Sequence, residues 1–257
     1  MSQAQAFLPR VNRIGLDAPF RWLGSGLSDL ARAPGPLLAY GAAVAVASLG
    51  LCALIYRYNA AFWVLSLTCG FVFIAPMLAM GVYEAGRRLE KGEKPTLGQM
   101  ALVSGAIRQD VAYLGLALLV IYFFWGRIAQ VVYGLSTYSL HHTVKDFVEF
   151  AVATPAGHNM LIAGTITGGI IAFLTFSMVV VSAPMLLDRD DSIFAATATS
   201  VKAVSENFPA LMVWAALIVS LLLLSAATGF LALTLVFPWL GLASWRAYRE
   251  LVAERNI

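Results

Sequence analysis

Charge is scarce in this chain of 257 residues: Asp, Glu, Lys and Arg make up 12% of it, against about 25% in an ordinary soluble domain. So few charges cannot cover a soluble surface, which excludes a soluble globular enzyme, a disordered chain and a nucleic-acid-binding domain. Histidine is scarcer still. The only three are His141, His142 and His158, and none lies in an apolar run, so imidazole ligands for haem or copper inside membrane helices are missing. Two cysteines, Cys52 and Cys69, make no disulfide scaffold, and their depths on neighbouring spans differ by roughly 8 Å at 1.5 Å per residue. No ionisable residue stands near the middle of any apolar run, which leaves a proton-coupled pump or charged-substrate channel without its usual relay. The sequence also has no phosphate loop, Ser-His-Asp arrangement or intramembrane protease pair.

What the chain does have is apolar length, with a mean hydropathy of +0.79. A bilayer core about 30 Å thick needs about 20 apolar residues per helix. Runs of that kind cover Pro36–Tyr56, Ala60–Tyr83, Val111–Val132 and Met160–Leu187, followed by a 36-residue run, Pro209–Ser244. The last is too long for one upright helix. Thr228-Gly229 breaks it near the middle, since glycine suits a tight helical hairpin, and divides it into Pro209–Ala227 and Phe230–Tyr248. Arg246 is then expected to snorkel to the interface. With the N-terminus inside, all but three of the 17 Lys and Arg residues fall on the inner side, the exceptions being Arg57, Arg127 and Lys145. This fits the positive-inside rule with both termini cytoplasmic, and no cleavable signal peptide is expected ahead of the first span. Trp63 and Trp125 fall near the outer boundary and Trp22 and Trp245 near the inner one, as an aromatic belt requires.

The spans group into three similar units, about 15–84, 95–187 and 192–250. Each begins with an amphipathic stretch at helical spacing: Phe20, Leu23, Leu27 and Leu30 in the first, Leu97, Met100, Ser104 and Ile107 in the second, Phe194, Thr197, Val201 and Val204 in the third. Thr96 is the expected cap of the middle stretch. Each unit ends on a span that carries proline, as Ala75-Pro76-Met77-Leu78, Ala183-Pro184-Met185-Leu186 and Phe237-Pro238-Trp239-Leu240. The pattern therefore predicts an interfacial helix, a span out and a proline-bearing span back. Only the middle unit has a long outer loop, 133–159.

Three motifs carry a likeness to known proteins: Pro19-Phe20-Arg21-Trp22-Leu23-x-x-Gly26-x-x-Asp29-Leu30, Gly81-Val82-Tyr83-Glu84-x-x-Arg87-Arg88-Leu89-Glu90-x-Gly92, and Ser182-Ala183-Pro184-Met185-Leu186-Leu187-Asp188-Arg189. With them the chain resembles a family of uncharacterised bacterial inner-membrane proteins, a domain of unknown function. The resemblance implies a polytopic membrane protein and no established activity. Some members of such families are labelled cytochrome c oxidase subunit I. The histidine-free spans argue against a haem–copper core here, though not against a protein that accompanies one.

Few side chains point to chemistry. A metal site would need three or four ligands converging on one point. Adjacent histidines face different ways, so His141, His142 and His158 are weak metal candidates and read as solvated loop residues titrating near neutral pH. Thr143 reads as the cap of a short helix whose Val144, Phe147 and Ala151 face the membrane surface. At the inner end of the second span, Glu84 is spaced to pair with Arg87 and Arg88, either as a dock for lipid headgroups or a partner or as a solvated helix end. Asp188 and Arg189 leave the fourth span at a similar depth, which predicts a salt-bridge ring of Glu84, Arg87, Asp188 and Arg189. Pro76, Pro184 and Pro238 predict three bent helices around a common axis. Gly164-x-x-x-Gly168 and Gly41-x-x-x-Ala45 read as close helix packing inside the molecule.

The sequence thus predicts an all-α polytopic membrane bundle, a single integral membrane domain of six transmembrane helices in three hairpin repeats with cytoplasmic-side interfacial helices. No cofactor and no catalytic residue is expected. The expected role is a structural or accessory protein whose partners are lipid bilayer and other membrane proteins, such as a respiratory complex. The alternative is a transporter or channel for a neutral or lipidic solute.

Overall fold

The computed structural model describes residues 8–58, 70–137 and 143–253. The expectations for Trp63, Cys69, His141, His142, Arg255 and the outer half of the second span lie outside them. Among the described residues the regular structure is helical, apart from an isolated antiparallel bridge between Val11 and Val252. In chain order the helices are α1 (Ala18–Arg32), α2 (Pro34–Arg57), α3 (Gly70–Leu78), α4 (Met80–Glu90), α5 (Leu97–Ala101), α6 (Gln109–Ser136), α7 (Val144–Ala153), α8 (Pro155–Val179), α9 (Ser182–Asp188), α10 (Ile193–Glu206), α11 (Phe208–Ala227) and α12 (Leu233–Leu251). A 3-10 turn, Ser104–Ile107, lies between α5 and α6.

Four segments are long and apolar enough to cross a membrane: Pro34–Arg57, Gln109–Ser136, Pro155–Asp188 and Phe208–Ala227. They correspond to the first, third, fourth and fifth expected spans. The expected sixth, α12, has the length but ends in Arg246, Arg249 and Glu250, which lowers its apolarity. The break expected at Thr228-Gly229 is present: Gly229 and Phe230 take φ of 62° and 65°, and Phe230 N donates to the Ser225 carbonyl at 2.8 Å. Left-handed backbone favours glycine. Gly229→Ala is therefore expected to cost about 1 kcal/mol, read as a lower melting temperature in mild detergent.

The helices form two compact units. One comprises Met1–Ala47, Pro76–Leu114 and Phe176–Ile257, and α12 is its centre. Ala243, Trp245, Ala247, Tyr248 and Leu251 are each no more than 1% exposed, and α1, α4, α9 and α11 all pack on this helix. The buried face of α1 is Trp22, Gly26, Asp29 and Leu30, whereas Phe20 and Leu27 are 58% and 47% exposed. The predicted stripe of α1 is therefore divided: Leu30 turns inward, Leu23 is half-buried, and Phe20 and Leu27 stay open. The third stretch divides in the same way, with Phe194 84% exposed and Val204 buried. In the middle stretch Met100 is buried while Leu97 and Ile107 are exposed. Thr96 caps α5 as expected, in a reciprocal arrangement with Gln99.

Trp22 and Trp245 form no aromatic belt. They are 2% and 1% exposed, and their indole N–H groups donate to Glu250 and Glu90 at 2.7 and 3.3 Å. A buried indole needs such an acceptor, and these two find theirs inside the protein.

The other unit comprises Ser48–Ala75 and Gly115–Thr175. Here the expected loop 133–159 is shorter and partly helical, because α6 continues to Ser136, α7 occupies Val144–Ala153 and α8 begins at Pro155. Thr143 caps α7, accepting from Asp146 N at 3.1 Å. The apolar side of α7 does not face outward as expected: Phe147, Phe150 and Ala151 pack with Met160, Val132 and Tyr133. Trp125, expected at a boundary, is 1% exposed in a second cluster with Phe73 and Ala129. Gly168 gives it room, since a Cβ there would stand 3.0 Å from the Trp125 ring. The Gly164-x-x-x-Gly168 motif therefore serves internal packing at its second glycine.

Candidate functional site

The groups most costly to bury gather in the first unit, around the ends of α4, α9 and α12. Asp29 of α1 is 3% exposed. It accepts from Arg246 Nε and a terminal Arg246 nitrogen at 2.7 and 2.9 Å, and from Arg32 at 3.2 Å. Arg246 does not snorkel, because this two-toothed bond to a buried carboxylate is stronger than a neutral one. Arg32 also donates to the Leu89 carbonyl at 2.8 Å, which ties α1 to the end of α4.

Glu84, also 3% exposed, accepts from Arg87 Nε and Arg88 Nε at 2.9 and 2.8 Å. These are the i, i+3 and i, i+4 pairs that the spacing predicted. Arg88 reaches on to Glu93 at 3.0 Å. Arg189 donates to the Tyr248 hydroxyl at 2.8 Å and to the Ala253 carbonyl at 2.9 Å. Tyr248 in turn donates to Asp188 at 2.7 Å.

The predicted ring of Glu84, Arg87, Asp188 and Arg189 does not close directly among the described residues, because the side chain of Glu84 is taken up on its own helix. The link runs through residues that the ring left out. Arg249 bonds Glu90 at 3.2 Å and lies 3.5 Å from Asp188, joining α4 to α9 through α12. Burial alone would lower the Arg249 guanidinium pKa, but Glu90 and Asp188 outweigh it and hold the value above the ordinary one. Asp29, Arg246 and Arg249 were legible only as charges in otherwise apolar or amphipathic helices, and such residues mark sites by default.

Two further charges brace the next turn of chain. Arg108 donates to the Leu186 and Arg189 carbonyls at 3.0 and 2.7 Å, satisfying the C-terminal end of α9, and it pairs with Asp190 at 2.9 Å. Asp110 accepts from Ile193 N at 2.9 Å, next to Ser192, the cap of α10. The charges at the inner edge of the third expected span are thus brackets for α9 and α10.

The three span prolines act differently from one another. Pro76 lies inside α3, which ends two residues later. Pro184 sits in the first turn of α9, just after the helix is interrupted by a turn between Val179 and Ser182. Pro238 stands inside an unbroken α12. Proline frees the carbonyl four residues back, here that of Thr234, and Gly41 of α2 lies against this carbonyl so closely that a Cβ would collide with it. Gly41, Val44 and Ala45 are buried, so Gly41-x-x-x-Ala45 is an internal contact.

His158 is exposed, with Nε2 2.8 Å from the Val152 carbonyl. Among the described residues no three His, Cys, Asp or Glu residues are grouped to hold a metal ion. The N-terminal segment closes on the C-terminal one: Asn12 N donates to the Leu251 carbonyl and Ala253 N to that of Arg10, at 2.9 and 3.0 Å. Asn207, 4% exposed, fastens this segment, accepting from Ile14 N at 2.8 Å and donating to the Asn12 carbonyl at 3.0 Å.

Residues 64–188 match the family model described as Predicted integral membrane protein (DUF2189). The Gly81–Gly92 motif lies inside that segment, and Ser182–Arg189 runs to its end. The match bears out the resemblance to an uncharacterised membrane-protein family. No curated protein and no solved structure matches the chain.

Proposed function

We propose that this chain, whose central segment belongs to a family of integral membrane proteins of unknown function, is a non-catalytic accessory protein of a bacterial inner membrane that binds other membrane proteins or lipid. In this reading it crosses six times as three hairpin repeats, with both termini cytoplasmic. The observation that carries it is the use of the charges between helices, of which Asp29 is buried and Arg246, Arg249 and Asp188 are partly buried. Asp29, Arg246, Glu90, Arg249 and Asp188 bond one another between helices, as braces of a scaffold do.

Packing supports the repeats. The middle amphipathic helix α5 packs on the returning helix α4, α10 packs on α9, and α1 packs on α12. Each thus takes the same kind of partner, and the first repeat closes the order on the third. The returning helices α4, α9 and α12 contact one another, in line with a common axis. The bonded termini favour an even number of crossings, and the bias of Lys and Arg favours their cytoplasmic placement.

The second reading, a transporter for a neutral or lipidic solute, draws on the helix interruption before Pro184 and the short helix carrying Pro76. Against it, α4 and α12 are pressed together at two glycines. A Cβ on Gly86 would stand 2.8 Å from the Trp245 ring, and one on Gly241 would stand 2.6 Å from Val82, so this seam has no room for a solute. Native mass spectrometry of the gently solubilised complex tests the proposal. Stable co-purification of other membrane proteins is expected, and recovery of the protein alone, without protein or lipid, would overturn it.

A further inference from the structure

Every arginine of α1, α4 and α12 bonds a carboxylate. Arg13, exposed in the N-terminal segment, pairs with none among the described residues. It stands at an open groove of about 310 Å³ lined by Ile14, Gly15, Leu16, Glu206, Pro209 and Ala210, with Asn207 behind them. The walls are set in advance, because the Asn207 amide is already bonded to Ile14 N and to the Asn12 and Ala203 carbonyls. The floor is the first turn of α11, a helix fit to cross a membrane. Leu16 and Phe208 beside it are 59% and 50% exposed, so the groove continues into apolar surface.

We infer that this groove seats a phospholipid with an amine-bearing headgroup, drawn from the leaflet at which α11 starts. The phosphate bonds Arg13, the ammonium faces Glu206, and the upper acyl chain lies along Leu16, Pro209 and Ala210. One cation and one carboxylate beside an apolar floor match a zwitterion with a tail. A free phosphate has no use for the floor and is repelled by Glu206. The carboxylate of Glu206 is free to change partner, since its contact with Lys202 is long, 3.9 Å, and half exposed, and such pairs contribute little. The inference rests on the proposed crossing of α11.

The test uses the full chain in mild nonionic detergent, titrated with phosphatidylethanolamine, phosphatidylglycerol or inorganic phosphate and read by native mass spectrometry. The wild type is expected to bind phosphatidylethanolamine in preference to phosphatidylglycerol and to ignore phosphate. Arg13→Gln should weaken both lipids about tenfold, the worth of one charge-assisted hydrogen bond. Glu206→Gln should remove the preference while leaving phosphatidylglycerol binding intact. Unaltered melting of both variants separates a lost site from a lost fold. Equal lipid binding by the wild type and Arg13→Gln, or no preference in the wild type, would overturn the inference. The crossing is read independently by labelling Ser205→Cys and Thr228→Cys in sealed vesicles, in a background lacking Cys52 and Cys69. Labelling of both from one side removes the crossing and the inference with it. Labelling from opposite sides, with no lipid preference, removes the lipid site alone.

Discussion

Asp29→Ala is expected to lower stability by about 3 kcal/mol, near the bottom of the range for breaking a buried ion pair. Asp29 is almost fully enclosed and holds Arg246 by two bonds and Arg32 by a third. Its loss leaves the Arg246 guanidinium between α1 and α12 without the carboxylate it bonds. That side chain is 29% exposed, so water can reach part of it, which keeps the cost from the top of the range. The measurement is thermal melting in one mild detergent. The reciprocal change separates a broken pair from a generally weakened seam. Replacing both residues by apolar ones of similar size, Asp29→Leu with Arg246→Met, should recover most of the loss, because the one charge left without its carboxylate is Arg32, which is 46% exposed and keeps its bond to the Leu89 carbonyl. A double variant that melts as low as Asp29→Ala alone would show that the pair is not what holds α1.

These same residues show how far the sequence could be read. The Thr96 and Thr143 caps, the break at Thr228-Gly229 and the four segments long and apolar enough to cross a membrane follow from local chemistry, in which each signal sits within a few residues of its effect. The Glu84–Arg87–Arg88 pairing was legible for the same reason. Asp29 was not, because its partner is 217 residues away, and periodicity around Asp29 shows only a polar residue in an amphipathic helix. The tryptophans were misplaced on similar grounds. Position near a span end favours the headgroup boundary, but the Glu90 and Glu250 carboxylates that accept from Trp245 and Trp22 belong to distant segments. The predicted ring of charges omits Glu90 and Arg249, since Arg249 lies beyond the motifs and bonds Glu90 and Asp188 only after α12 has packed.

Substitution at Gly41 is expected to act through backbone. Pro238 removes the N–H that would bond the Thr234 carbonyl, and that carbonyl turns toward α2, where only a residue without a side chain leaves space. A Cβ on Gly41 would overlap the carbonyl and also stand 2.9 Å from the Pro238 ring. Neither group is the far end of a flexible side chain, so α2 must move away from α12. Overpacking of this kind costs about 1–3 kcal/mol, with Gly41→Ala at the lower end and Gly41→Leu at the upper. Pro238→Ala should soften the effect. It returns an N–H to α12, draws the Thr234 carbonyl back into the helix and removes the ring carbon that Gly41→Ala would meet. The melting loss from Gly41→Ala is therefore expected to be smaller in the Pro238→Ala background than in the wild type, a coupling that two independent sites would not give. Equal losses in the two backgrounds would mean that the contact of α2 with α12 does not depend on the carbonyl that Pro238 releases.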